Sequence, residues 1–154
     1  MIGMCHYEQL QNEALDGYYN NLALNSFDQV IKRYPESKYA KDSRQKIVLV
    51  KSNIAAKHME IGRFYLNNKK HLAALNRFKI VVNDFSITKF TPEALHRMVE
   101  AYYEMGMYDE SYKTAALLGY NYPRSKWYEY SYNLVKQKDG EEKILEKLKN
   151  FFDG

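Results

Sequence analysis

Three short segments of this chain repeat one arrangement of residues, and that repetition constrains the fold more than any other feature. Each has a small residue, an aromatic or small residue four on, an apolar residue three further, and a terminator five beyond that. The first is Ala23, Phe27, Val30 and Pro35, the second Ala74, Phe78, Val81 and Ser86, and the third Ser111, Ala115, Leu118 and Pro123. Steps of four and three keep side chains on one helical face, and proline ends a helix by removing a donor and restricting the residue before it. Each segment therefore reads as the second helix of a hairpin. The endings are variants of one local sequence: Arg33-Tyr34-Pro35-Glu36-Ser37, Asn83-Asp84-Phe85-Ser86 and Asn121-Tyr122-Pro123-Arg124-Ser125.

Upstream, the matching first helices carry Ile61, Gly62 and Tyr65 in the second unit and Met98, Val99 and Tyr102 in the third. A small residue lets two helices touch and a tyrosine closes the hairpin, which is the tetratricopeptide pattern. In the first unit either Gly3 or Gln11 fits as the packing residue. The expected fold is all-α, a tetratricopeptide-repeat α-solenoid of antiparallel hairpins.

Spacing sharpens this reading. The terminators at 35, 86 and 123 lie 51 and 37 residues apart, against about 34 for a standard repeat. The 17-residue excess has a home in the stretch Ser37 to Asn67, which has no proline and only one glycine, Gly62. It predicts one long helix over about 38–67, capped by Ser37 and roughly 45 Å long. Further helices are expected over about 70–84, 91–105 (Thr91 as cap, Pro92 in the first turn), 108–121, 124–137 and 141–152. The last carries Ile144, Leu145, Leu148, Phe151 and Phe152 and is expected to cover the apolar end of the array. The 154 residues read as one domain, with repeat units over about 1–37, 38–88 and 89–125 and capping helices over 126–154.

Composition narrows the function classes. Hydrophobic residues make up 45% and charged residues 27%, with 7 Gly and 3 Pro, which argues against disorder. No apolar run approaches the roughly 20 residues of a membrane helix. Met1 to Leu10 lacks the basic start and apolar core of a signal peptide, and only four residues precede Cys5, too few for Ile2-Gly3-Met4-Cys5 to be a lipoprotein cleavage site. One cysteine excludes an internal disulfide.

The net charge of +4 is unevenly spread. Residues 1–31 have four acids and no Lys or Arg, while 32–57 hold eight bases against Glu36 and Asp42. That stripe reads as a solvated helix face or a surface for an acidic partner. Nucleic acid is disfavoured because most of the 15 tyrosines lie outside the stripe, whereas single-strand binding interleaves rings with bases in one groove. His6, His58, His71 and His96 are isolated, so no metal site is expected. No phosphate loop, nucleophile elbow or His-Glu-x-x-His occurs, so the chain reads as a binding module, not an enzyme, with no cofactor.

Several stretches together carry a family resemblance. They are Arg33-Tyr34-Pro35-Glu36-Ser37-Lys38-Tyr39-Ala40, His58-Met59-Glu60-Ile61-Gly62-Arg63-Phe64-Tyr65, Ala73-Ala74-Leu75-Asn76-Arg77 and Glu100-Ala101-Tyr102-Tyr103-Glu104-Met105-Gly106. The sequence resembles the BamD (ComL/YfiO) family over nearly its whole length. In that family the order runs from the third repeat to the fifth, and an extended helix joins the third and fourth, which is what the 17-residue excess looks like.

The resemblance implies a periplasmic component of the outer-membrane β-barrel assembly machinery in a Gram-negative bacterium. It also implies docking of the C-terminal repeats on the last POTRA domain of BamA, alongside the other BAM lipoproteins. The family's contact arginine follows an asparagine in the fourth repeat, so Asn76-Arg77 is implied here, and Arg63 and Lys70 are added as neighbours of the same turn. Nothing corresponds to the family's lipidated cysteine or its first two repeats, so the chain reads as a C-terminal piece. Membrane attachment would come only through a lipid anchor that this sequence lacks. A periplasmic adaptor of the Tol-Pal coordinator type shares the Tyr-Pro-x-Ser ending, and the 51-residue interval argues against it.

Overall fold

The computed structural model describes the backbone of residues 2–139 and 141–153 and the side chains of residues 15–136, 146 and 148–153. Among the described residues the chain is all helix and turn. The helices are α1 (Ile2–Arg33), α2 (Lys38–Asn67), α3 (His71–Asp84), α4 (Thr91–Glu104), α5 (Tyr108–Asn121), α6 (Lys126–Asp139) and α7 (Glu141–Asp153). No helix among the described residues is long and apolar enough to cross a membrane.

The long helix α2 has the expected bounds. Ser37 caps it, its Oγ accepting from the Ala40 N–H at 3.1 Å. The three endings repeat as geometry. The N–H groups of Tyr34, Phe85 and Tyr122 donate to the carbonyls of Val30, Val81 and Leu118, and those of Ser37, Thr88 and Ser125 donate to the carbonyls of Tyr34, Phe85 and Tyr122. A second turn type joins α2 to α3 and α4 to α5. Lys70 N–H donates to Tyr65 and Lys69 N–H to Leu66; Met107 N–H donates to Tyr102 and Gly106 N–H to Tyr103. This paired pattern is a Schellman ending, whose penultimate residue sits in the left-handed region. Gly106 occupies it with φ 76° and Lys69 with φ 62°.

Two expectations are corrected. Ala23, Phe27 and Val30 do not lie on the second helix of a hairpin, because α1 continues through Gly17 for 32 residues. A helical glycine costs only about 1 kcal/mol relative to alanine, so it does not by itself impose a break, and Gly17 has no positive φ. Thr91 does not cap α4. It lies inside the helix, and its Oγ1 donates backward to the Ser86 carbonyl at 3.0 Å.

The chain forms two compact units, residues 1–54 and 55–154. In the first, Ala40 and Ser43 are buried, Ala23, Phe27 and Val30 are half-buried, and Lys46 Nζ lies 5.9 Å from the centre of the Phe27 ring. The side chains of Gly3, Cys5, His6 and Gln11 lie outside the described residues.

In the second unit the repeated pattern is the core. Ala74, Phe78, Val81, Ser111, Ala115 and Leu118 are all buried. One cluster joins α2, α3 and α4 through Met59, Leu75, Phe78, Met98 and Tyr102; another joins Val99, Tyr112, Ala115 and Val135, with Leu148 of α7 against it. Buried Ser111 satisfies its hydroxyl by donating to the Val99 carbonyl at 3.0 Å, as a buried polar group must. Ile144 and Leu145 lie outside the described side chains, and Phe151 and Phe152 stay about half exposed.

Candidate partner-binding surface

The four residues singled out from sequence all belong to the α2–α3 hairpin of the second unit. Its geometry starts at Gly62. A Cβ there would meet Cε1 of Phe78 at 2.5 Å, so only glycine lets the buried Phe78 ring seat against the α2 backbone. That close approach fixes the register of the two helices. One turn before Gly62, His58 then faces Arg77, the neighbour of Phe78, and Arg77 Nη1 stands 3.2 Å from His58 Nδ1. The His58 ring stacks on Phe85, with centroids 6.0 Å apart and planes inclined by 28°.

Asn76, beside Arg77 on α3, is exposed, and Lys70 is exposed in the turn between the helices. Two large apolar side chains are presented on the same hairpin, Phe64 at 62% exposure and Leu72 at 67%.

Arg63 is differently placed. Its guanidinium makes a two-pronged contact with Glu93 of α4, Nε to Oε1 at 2.8 Å and Nη2 to Oε2 at 2.6 Å. Arg97 adds to this network, Nε lying 3.5 Å from Glu93 Oε1 and Nη1 2.9 Å from Glu100 Oε2. His96 bonds Glu100 at 3.2 Å through Nε2 and Ser131 Oγ of α6 at 2.8 Å through Nδ1. Charged groups thus tie α2, α4 and α6 along one side of the unit, and Trp127 lies under Arg97 with the cation 5.4 Å from its ring.

The electrostatics follow. Burial works to raise the Glu93 carboxyl, but the hydrogen bond and charge of Arg63, with Arg97 behind, hold it below its ordinary value. Burial likewise opposes ionisation of Glu100, and His96 and Arg97 outweigh it. The hydrogen bond to Glu93 raises Arg63 in turn. These are structural ion pairs that hold helices in place.

Neither His58 nor Glu93 stood out in the sequence as a functional residue. Their partners lie 19 and 30 residues away, beyond the reach of any helical spacing rule. Among the described residues no group of three or more His, Cys, Asp or Glu side chains is arranged to hold a metal ion.

Residues 1–118 match a family model, YfiO, described as outer membrane lipoprotein. The chain belongs to the YfiO family. It is 50% identical over 115 residues to the outer membrane protein assembly factor BamD of Rickettsia prowazekii, covering 75% of this chain and 46% of that protein. Against the protein of that name from Caulobacter vibrioides it is 41% identical over 146 residues, 95% of this chain and 48% of the relative. A third relative so named, from Pasteurella multocida, is 32% identical over 103 residues, 67% of this chain and 40% of that one. The chain therefore spans about half the length of the curated relatives it matches. The YfiO match takes in α1 to α4 and most of α5, so the α2–α3 hairpin lies wholly within it.

Proposed function

We propose that this chain is a non-catalytic docking module of the outer-membrane protein assembly machinery, acting at the periplasmic face of the outer membrane. Membership of the YfiO family and the shared name of the relatives support the assembly role. In this reading the α2–α3 hairpin docks on a POTRA domain of the barrel subunit BamA. Arg77 meets a carboxylate there, Asn76 and Lys70 flank it, and Arg63 supports the surface by holding α2 against α4.

One observation carries the choice of residues. Arg77 lies next to the exposed Asn76 on α3, with Nη1 3.2 Å from His58 Nδ1, and Lys70 is exposed in the adjoining turn. A planar guanidinium is suited to two-pronged recognition of a carboxylate. The test is Arg77→Glu in the full chain, with binding to the BamA periplasmic domains followed at low salt. Weaker binding with helicity intact is expected, and unchanged affinity would remove Arg77 from the contact.

A further inference from the structure

We infer that the first half of α2 carries a second docking surface, a basic face with an apolar centre that takes an acidic, partly apolar peptide segment of a partner protein. This surface lies in the first unit and does not depend on α3 docking as proposed above.

Lys41, Arg44, Val48 and Lys51 follow one another in steps of three, four and three, which places them along one side of the helix. Leu49 borders that side, eight residues after Lys41, and Lys38 precedes it by one turn. Lys38, Lys41 and Arg44 are exposed and Lys51 is half-buried. Val48 and Leu49 stand among them at 44% and 62% exposure. From Lys38 to Lys51 the face runs about 20 Å.

A merely solvated helix face mixes charges of both signs, which support one another three or four residues apart, while like charges at those spacings destabilise the helix. Here Lys38, Lys41 and Arg44 succeed one another at intervals of three. The one carboxylate in the sequence between Lys38 and Ile54, Asp42, pairs with Lys46 at 3.0 Å. The sign of the face selects an acidic partner. Its centre selects the class: Val48 and Leu49 are aliphatic and give no ring on which a base could stack. Two such side chains between cations also fall short of the broad apolar face with which a helix lies in a membrane surface. A peptide with apolar residues flanked by carboxylates matches both features.

The test titrates the full chain with a fluorescent peptide of about 15 residues, long enough as a helix to span this face, with leucines at its centre and glutamates around them. Lys41→Glu is compared with Lys46→Glu, which changes the net charge equally but lies about 140° round the helix from Lys41. Lys41→Glu should weaken binding about ten-fold at low salt, and Lys46→Glu by under about two-fold. Leu49→Asn should weaken it roughly three- to ten-fold, and should have no effect on a peptide whose leucines are replaced by serine. Circular dichroism should show wild-type helicity in all three variants, since these side chains are exposed. Absence of peptide binding, equal loss from the two charge reversals, or wild-type affinity in Leu49→Asn overturns the inference. Tighter binding of a single-stranded oligonucleotide or of phosphatidylglycerol vesicles than of the peptide, lost in Lys41→Glu, overturns it in favour of that ligand.

Discussion

Phe78 lies so close to Gly62 that a single added carbon at position 62 would stand 2.5 Å from the ring. Phe78 is fully buried among Met59, Leu75 and Met98 and has no room to withdraw. Gly62→Ala is therefore expected to destabilise the chain by about 1–3 kcal/mol, the usual range for overpacking, and to disturb the His58–Arg77 contact one turn away. Urea unfolding followed by circular dichroism measures the first effect; a midpoint equal to wild type would show that the approach is slack. Gly119 approaches the Tyr128 ring as closely, but that ring is only partly buried and can give way, so Gly119→Ala should cost less than Gly62→Ala.

Lys69 holds a backbone conformation that side chains rarely adopt, with φ 62°, in a turn whose counterpart uses Gly106. Lys69→Gly should stabilise the chain by about 0.5–1 kcal/mol, since a left-handed non-glycine residue costs roughly 1–2 kcal/mol and glycine loses part of that in chain entropy. The pair it forfeits, Lys69 Nζ to Glu104 at 3.7 Å, is exposed and contributes little. Thermal unfolding checks it: a rise in Tm is expected and a fall refutes the strain.

Glu93 and Glu100 are held ionised below the ordinary carboxylate range by Arg63, Arg97 and His96. A lowered folded-state value means that the unfolded chain takes up protons first, so stability is present above the ordinary range and is lost as pH falls through the folded values. Unfolding free energy should fall steeply below about pH 4.5. Glu93→Gln should remove part of that slope and cost about 1–2 kcal/mol near neutrality, because Arg63 is partly exposed and screened. A Glu93→Gln variant with the wild-type pH profile would contradict this.

Much of this fold was legible in the sequence because its signals are local. Ser37 and the run of good helix formers after it set the bounds of α2, and three similar endings gave three identical hydrogen-bonded turns. Gly62 was readable as the packing residue because only a missing side chain lets helices approach so closely. What was not legible is set by contacts distant in sequence. Ala23, Phe27 and Val30 read as the second helix of a hairpin, and α1 instead runs unbroken for 32 residues. Arg63 looked like a surface neighbour of Arg77, but pairs with Glu93 across 30 residues. His58 gave no sign of its contact with Arg77, which depends on the register that Gly62 and Phe78 impose.

The central claim, that the exposed face of α3 docks on the barrel subunit, is most directly tested by photo-crosslinking. A photoreactive amino acid would replace the exposed Asn76 on α3, and another would replace the exposed Lys113 on α5. With purified BamA periplasmic domains, a crosslink from position 76, and none from position 113, is the predicted result. A crosslink from 113 with none from 76 would contradict the account.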